Sequence, residues 1–312
     1  MQNILDPAIL FFIFGVFAGA VRSNLEIPPA ITKFLSLYLL MALGLKGGFA
    51  LQKSGLTIDI AKTLSIAVML AIIVPILGYF FLKKKLNNYD AAAIAATYGS
   101  VSAVTFITAS QFLDLNQISY GGHMAAAMAL MESPAIILAV FLANAAKSNK
   151  KGSSLNLLHK SFTDGAQLLL IGAMIVGLFA DLQVRDNAPF SIDLFKGMLA
   201  FFLLDMGLMV AKNFKQVLNK PIYVLVYGIF APPVHALLAL IICKIAGVGL
   251  GETILLMVLS ASASYIAVPA ALKYALPQAN PSLYFGMSLG LTFPINIIIG
   301  IPLYTFIAKL FF

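Results

Sequence analysis

The sequence predicts an all-α membrane protein in which ten transmembrane helices form two inverted repeats of five, each with one broken crossing helix. Three observations support this fold class. The chain is 61% hydrophobic and only 10% charged, with a mean hydropathy of +0.97, whereas soluble domains carry about 25% charged residues. Ten apolar segments have the length of a membrane helix. Two of them are interrupted by small polar residues at matching positions of the two halves.

The apolar segments follow one another through short polar connections, as expected of helices that cross a bilayer repeatedly. The longest connection, residues 147–162, predicts a linker between a first repeat at 1–146 and a second repeat at 163–312. The first segment follows Asp6 without a basic region and precedes Arg22 without a cleavage site, so it is interpreted as a retained helix. The ten segments are 7–22, 30–52, 61–82, 91–113, 119–145, 163–180, 195–211, 221–246, 251–275 and 281–308.

Basic residues indicate the orientation of these segments. With the N-terminus outside, thirteen of the twenty Lys and Arg residues, among them Lys33 and Lys212, lie at inner loops or inner helix ends. The sequence therefore predicts a multi-pass protein of the cell (inner) membrane with both termini outside and a cytoplasmic linker. The net charge of +8 comes from these loops, so it does not indicate a nucleic-acid partner. Cys243 is the single cysteine and can form no internal disulfide.

The two halves share short sequence matches at nearly constant spacing. Residues 39–46 resemble 202–209, residues 120–122 resemble 284–286, and Pro134 corresponds to Pro294. Because each half has an odd number of segments, the second half must enter the membrane from the opposite face. The matches therefore predict an inverted repeat whose two broken helices meet near the midplane of the membrane.

The two broken segments predict the substrate site. Segment 91–113 is interrupted at 98–102 and segment 251–276 at 260–265. Every backbone N–H and C=O in lipid needs a partner, so a helix breaks at membrane depth only where the freed groups face protein, water or a ligand. Small residues at one break could instead serve close helix packing, but two breaks in register favour a site. The predicted substrate-binding residues are Gly99, Ser100, Val101, Ser102, Ser262, Ala263, Ser264 and Tyr265.

The chemistry of the breaks favours a small anion and a cation. Helix N-termini at a break present unpaired N–H groups and a positive dipole end, which suit an anion. Serine hydroxyls can bind an oxyanion or coordinate a cation. Neither break contains Lys or Arg, so dipoles and hydroxyls would hold the anion, which implies a small substrate.

Two carboxylates inside apolar segments, Glu132 and Asp205, are candidates for cation coupling because a charge at membrane depth is costly. Glu132 precedes Ser133-Pro134, which predicts a kink with freed carbonyls. His235 is interpreted as a packing histidine near the site. Apart from co-transported sodium, no cofactor is predicted. The predicted coupling residues are Ser102, Glu132, Ser262 and Asp205, and the candidate sodium ligands are Ser102, Glu132 and Ser264.

Several motifs resemble SbtA, the sodium-dependent bicarbonate transporters of cyanobacteria and their bacterial homologues. The resemblance covers nearly the whole chain, and its motifs lie at 44–48, 99–102, 131–134, 231–235, 276–284 and 300–304. It implies a homotrimer whose protomers each have a gate and a core domain. It further implies elevator-like movement of bicarbonate with sodium, and in cyanobacterial members a PII-like regulator.

The sequence departs from this family at particular positions. Tyr265 stands where the family has an acidic residue, Ala267-Val268 replaces a small polar pair, and Glu132 replaces an Asp. The cytoplasmic linker is also shorter, which disfavours the PII-like regulator. A phenol in place of a carboxylate removes a hard cation ligand, so proton coupling stays open beside sodium coupling.

The preferred function is a secondary active transporter, a symporter that imports bicarbonate or a similar small anion with sodium. The alternatives are a cation- or proton-coupled transporter of a different small solute, or a channel-like permease. An enzyme is not predicted, because the sequence has no HExxH, no Gly-x-Ser-x-Gly and no paired aspartates within a segment.

Overall fold

The computed structural model describes residues 7–55, 57–145, 165–180, 193–218, 220–265, 268–269, 272 and 276–312. Over these residues the chain is helical and contains no strand. The predicted linker at 147–162 lies outside them. The helices are α1 (Pro7–Ala20), α2 (Pro29–Ser54), α3 (Ile58–Leu82), α4 (Asn88–Gly99), α5 (Ala103–Leu115), α6 (Met124–Ala145), α7 (Gly165–Phe179), α8 (Asp193–Leu218), α9 (Ile222–Ala246), α10 (Leu250–Ala261) and α11 (Pro281–Phe311).

The helix ends follow from local sequence. The Thr57 hydroxyl accepts a hydrogen bond from the Ile60 amide at the start of α3, and the Asn87 side chain accepts one from the Asp90 amide at the start of α4. Asn280 caps α11, with a proline at the first helical position where no amide is needed. Gly247 ends α9 in the left-handed conformation that glycine adopts without strain.

Six helical stretches of the described residues are long and apolar enough to cross a membrane. They confirm the prediction of an all-α membrane protein. The fifth predicted segment begins at Met124, five residues later than expected from 119, and the seventh extends to Leu218. The six stretches are Pro29–Phe49, Ile58–Leu82, Asn88–Leu115, Leu194–Lys212, Ile222–Ala246 and Pro281–Phe311, and shorter apolar helices cover Pro7–Ala20, Leu168–Phe179 and Leu250–Ala261.

The interrupted stretch Asn88–Leu115 lies inside the protein. In the most apolar part of this stretch, 94% is buried inside the protein. In the most apolar part of Ile222–Ala246, only 39% is buried. A span surrounded by other helices can carry polar residues and broken backbone hydrogen bonds that lipid would not tolerate. Its surroundings therefore explain how a membrane-spanning segment can be interrupted at 100–102.

Helices α1, α2, α7 and α8 form one packing group, in which α1 packs against α8 and α2 against α7. Both pairs approach closely at glycines. Gly15 and Gly207 lie against the backbone of the opposite helix in the first pair, and Gly48 and Gly177 do so in the second. Small residues let helices pack closely in a membrane, where dispersion contacts drive helix association. The first helix of each half thus contacts the second helix of the other half.

The remaining helices surround the broken segments. Helix α3 packs against α4 and α6, and α9 packs against α10. The ring of Pro75 in α3 leaves no room for a side chain at Gly99, the last residue of α4. Glycine is therefore required at the end of α4 because another helix occupies the space of a side chain.

Helices α6 and α11 both continue through their internal prolines, Pro134 and Pro294. In α11 the proline lies between two π-helical segments, Ser288–Thr292 and Asn296–Gly300. A proline removes one backbone donor and crowds the preceding turn, and local widening of the helix accommodates this. Short π-helical segments occur frequently at functional sites.

Candidate functional site

The structure interrupts both predicted helices. Helix α4 ends at Gly99, residues 100–102 are extended, and α5 begins at Ala103. Helix α10 ends at Ala261, and residues 262–264 are non-helical before a bend at Tyr265. Both breaks are buried in the protein. The orphan carbonyls that precede each break and the orphan amides that follow the first one therefore face the interior.

Two direct hydrogen bonds join the breaks. The Ser102 amide donates to the Ser262 hydroxyl at 3.0 Å, and the Ser264 amide donates to the Thr97 carbonyl at 2.8 Å. Ser262 in turn donates to the Leu259 carbonyl at 2.7 Å. The structure thus brings together residues more than 150 positions apart in the sequence, from the two predicted parts of the site.

The Ser102 and Ser264 hydroxyls both accept hydrogen bonds from backbone amides that follow the breaks. The Ser102 hydroxyl accepts from the amide and the hydroxyl of Thr105, at 3.2 and 2.9 Å. The Ser264 hydroxyl accepts from the Val268 amide at 3.2 Å. Ser102 is thereby the N-cap of α5. Both serines therefore fix the start of the chain segment that follows each break.

Several polar atoms around the breaks are buried and have no hydrogen-bond partner among the described residues. They are the hydroxyls of Ser100, Ser260 and Tyr265 and Nδ1 of His235. The His235 ring lies close to the backbone of Ser260. A buried polar atom without a partner is rare and marks a place for a ligand, an ion or an ordered water.

Tyr265 lies at the centre of this region. Its hydroxyl approaches the Ser102 side chain without the geometry of a hydrogen bond. Its ring packs edge-to-face on Phe293 of α11, with ring centroids 5.1 Å apart. The two remaining predicted site residues, Val101 and Ala263, are buried and apolar. They contribute shape to the site rather than polar contacts.

A cavity of about 910 Å³ reaches the second break from the α2 and α8 side. Tyr265 lines it together with Asp205, Thr32, Lys33 and Lys212. Its volume falls in the range of small-molecule sites and exceeds the needs of one inorganic ion. The cavity therefore brings charged and polar side chains of α2 and α8 to the second break.

The two predicted carboxylates lie in different places. Asp205 is buried on α8 and accepts a hydrogen bond from the Thr32 hydroxyl of α2 at 2.5 Å. Glu132 is partly buried on α6, which packs against α3 and α4. Among the described residues, no group of three or more His, Cys, Asp or Glu side chains is arranged to hold a metal ion.

Three further residues at the breaks were missed by sequence reasoning. At the second break, the Thr97 carbonyl accepts from the Ser264 amide, and the Asn296 side chain donates to the Ala261 carbonyl at 2.7 Å. At the first break, the Thr292 hydroxyl lies 2.6 Å from the Tyr98 hydroxyl. A backbone carbonyl leaves no trace in the sequence. Thr292 and Asn296 did leave a signal, because they are polar residues within an apolar span, flanking a proline.

A second polar cluster joins the starts of α4 and α11. The Asn280 amide donates to Asp90 at 2.7 Å, and Lys220 donates to the Ser282 hydroxyl at 2.7 Å. Partial burial lowers the pKa of Lys220. These contacts involve residues 280–282 of the motif at 276–284. They fix the position of α11 relative to the first broken helix.

The profile of the Na+-dependent bicarbonate transporter superfamily matches residues 7–309 of the 312-residue chain. The chain belongs to this superfamily. No curated protein matches it significantly. Membership confirms the family resemblance found in the sequence and identifies a transporter rather than an enzyme. With its several apolar helices, the chain is a multi-pass membrane transporter.

Proposed function

We propose that the protein is a secondary active transporter that imports bicarbonate, or a similar small anion, together with sodium at the two joined breaks. The observation that carries this proposal is the pair of hydrogen bonds between Ser102 and Ser262 and between Ser264 and Thr97. Broken helices that meet in the protein interior are the typical binding sites of secondary transporters. The superfamily supplies the substrate class and the coupling ion.

The anion would lie at the start of α5. The first amides of a helix carry a partial positive charge and point toward the break, where the Ser100 hydroxyl is buried without a partner. Ser262, with Val101 and Ala263, would define the size of the site. The absence of Lys and Arg from 98–102 and 260–265 favours a small, weakly held anion that leaves readily.

The cation would use oxygens close to the same breaks. Ser102 and Ser264, whose hydroxyls accept from the backbone amides of Thr105 and Val268, are the proposed sodium ligands together with Glu132. Glu132 and Thr292 occupy corresponding positions of the two halves, because each stands two residues before the shared proline. Thr292 contacts the first broken helix. An inverted repeat would direct Glu132 toward the second one.

The cavity at Asp205 would be the access route. Lys33 and Lys212 line this cavity. Both lysines lie on the cytoplasmic side of the membrane if the two termini are outside. The route then leads from the cytoplasm to Tyr265. Asp205 would attract the cation on this route, as the second candidate for coupling.

An elevator-like movement agrees with the two packing groups. Helices α1, α2, α7 and α8 would form the fixed part, and the helices around the breaks would move. The exchange of partners, α1 with α8 and α2 with α7, is the pattern expected of two inverted repeats.

The proposed homotrimer would use the fixed part. Its outer surface carries exposed aromatic residues, among them Phe11, Phe14, Phe17 and Phe201, each at least 46% exposed. Such residues would pack against neighbouring protomers or lipid. Counting photobleaching steps of a labelled protein in liposomes tests this, and three steps are expected. A fully active protein that bleaches in one step would exclude the trimer.

A PII-like regulator would need the linker at 147–162.

The decisive experiment is uptake of radiolabelled bicarbonate into proteoliposomes with an inward sodium gradient. Uptake above the equilibrium level is expected with sodium and not with an equal potassium gradient. Counterflow separates transport from a channel, because only a transporter drives labelled substrate uphill by exchange. Absence of both uptake and counterflow would reject the proposal.

Proton coupling is the second candidate, and one observation favours it. Asp205 lies in the cavity that reaches Tyr265, and a buried carboxyl group can exchange protons, unlike a cation site made of hydroxyl and carbonyl oxygens. A proton gradient would then drive uptake in sodium-free buffer. The same liposome assay distinguishes the two ions.

A further inference from the structure

Helix α11 contacts both broken helices through two buried polar side chains. Thr292 ends the first π-helical segment and Asn296 begins the second. Four residues apart, they lie on the same side of the helix. Each is 1% exposed. Amide and hydroxyl groups at this depth are costly unless they are hydrogen-bonded, so their partners define their role.

Asn296 binds the half-helix that precedes the second break. Its Nδ2 donates to the carbonyl of Ala261, the last residue of α10, at 2.7 Å. Its Oδ1 accepts from the Tyr304 hydroxyl at 3.1 Å, which fixes the orientation of the amide group. The carbonyls of a final helical turn have no partner within the helix. Asn296 thus supplies a side-chain partner for the end of α10.

Thr292 binds the half-helix that precedes the first break. Its hydroxyl donates to the Gly228 carbonyl of α9 at 3.0 Å. A hydroxyl has one hydrogen, so the contact at 2.6 Å with Tyr98 requires that Tyr98 donates to Thr292. Tyr98 is the residue before the last of α4. Thr292 therefore connects the end of α4 to α9.

Glycines provide the space for these contacts. A side chain at Gly228 would overlap Met287 and approach the Tyr98 hydroxyl to 3.1 Å. A methyl group at Gly300 would lie 2.6 Å from Oδ1 of Asn296 and 3.0 Å from the Tyr304 ring. The overlap at Gly228 is with the flexible end of the Met287 side chain, whereas a methyl group at Gly300 would press directly on the Asn296 amide and the Tyr304 ring.

We propose that α11 is a two-point clamp, in which Thr292 positions the first break and Asn296 positions the second so that both keep the geometry needed for substrate binding. This inference rests on the proposed site at the breaks. Because one helix holds both ends, a shift of α11 would move the two halves of the site together. The residues act through the broken helices and are positioning residues.

The test compares Thr292→Val, which keeps the shape and removes the hydroxyl, with Thr292→Ser, which keeps the hydroxyl. Thr292→Val is expected to raise the half-saturating bicarbonate concentration about three- to tenfold, as for the loss of a buried hydrogen bond, with little change in maximal rate. Thr292→Ser is expected to stay within about twofold of wild type. Gly300→Ala should act like Thr292→Val, because it displaces Asn296 without removing a polar group.

Amide hydrogen exchange gives a readout that needs no transport. Thr292→Val should accelerate exchange at 100–104, and Asn296→Leu should accelerate it at 262–265, each with less effect at the other break. If wild-type protein fails to transport bicarbonate, the proposed function fails, whereas this exchange pattern still supports the clamp. Unchanged exchange at both breaks, or a half-saturating concentration unchanged in both Thr292→Val and Gly300→Ala, would overturn the clamp.

Discussion

Replacing Ser262 by alanine tests the connection between the two breaks. The substitution removes a hydroxyl that accepts from the Ser102 amide and donates to the Leu259 carbonyl. It leaves two buried backbone groups without that partner. Side-chain hydrogen bonds in membrane proteins contribute about 0.6 kcal/mol on average and up to about 1.7 kcal/mol. The free energy of unfolding should therefore fall by about 1–3 kcal/mol.

A matched control lies two residues earlier. Ser260 is equally buried, but its hydroxyl has no partner among the described residues, so Ser260→Ala removes no hydrogen bond and should not lower the free energy of unfolding. The chain contains no Trp, so unfolding in mixed detergent micelles is best followed by the helical circular dichroism signal. Equal losses of stability in the two variants would refute the assignment of the Ser262 hydrogen bonds.

Three further outcomes follow from the same geometry. Ser264→Leu should abolish uptake at unchanged membrane abundance, because it fills the second break and removes the hydroxyl that binds the Val268 amide; normal uptake would disprove the site. Glu132→Gln should abolish or uncouple cation-driven uptake, and an unchanged sodium and proton dependence would move the coupling site elsewhere. Gly15→Ala should lower the melting temperature in detergent, since its methyl group would overlap the Leu204 carbonyl. Gly172→Ala, which meets no atom within 4 Å, should not lower it and is the control.

The positions of the two breaks were predictable because their polar residues differ from the apolar residues on either side. Residues 98–102 and 260–265 are short polar runs inside apolar segments, and lipid tolerates such runs only at protein interfaces. The contact of Asp205 with Thr32 was not predictable, since it joins residues 173 positions apart through the packing of α2 near α8. Sequence periodicity says that a helix spans the membrane but not which helix it contacts.

Asn296 shows a second limit of sequence reasoning. Its position in an apolar span marked it as unusual, yet polar residues in membrane helices also serve general helix association. Only the distance of 2.7 Å to the Ala261 carbonyl assigns it to the second break. The continuity of α11 through Pro294 was equally hidden, because a proline in a span predicts a kink as readily as a π-helical segment.

Some serine hydroxyls around the breaks bind backbone groups, and others have no hydrogen-bond partner among the described residues. The hydroxyls of Ser102, Ser262 and Ser264 all bind backbone groups, whereas those of Ser100 and Ser260 are buried without a partner among the described residues. A buried unpaired hydroxyl costs about 1–3 kcal/mol. A ligand or an ordered water that binds there recovers this energy, so the unpaired hydroxyls favour occupancy of the site. The serines that fix the backbone therefore set the geometry of the site, and the neighbouring unpaired hydroxyls of Ser100 and Ser260 add affinity for a ligand.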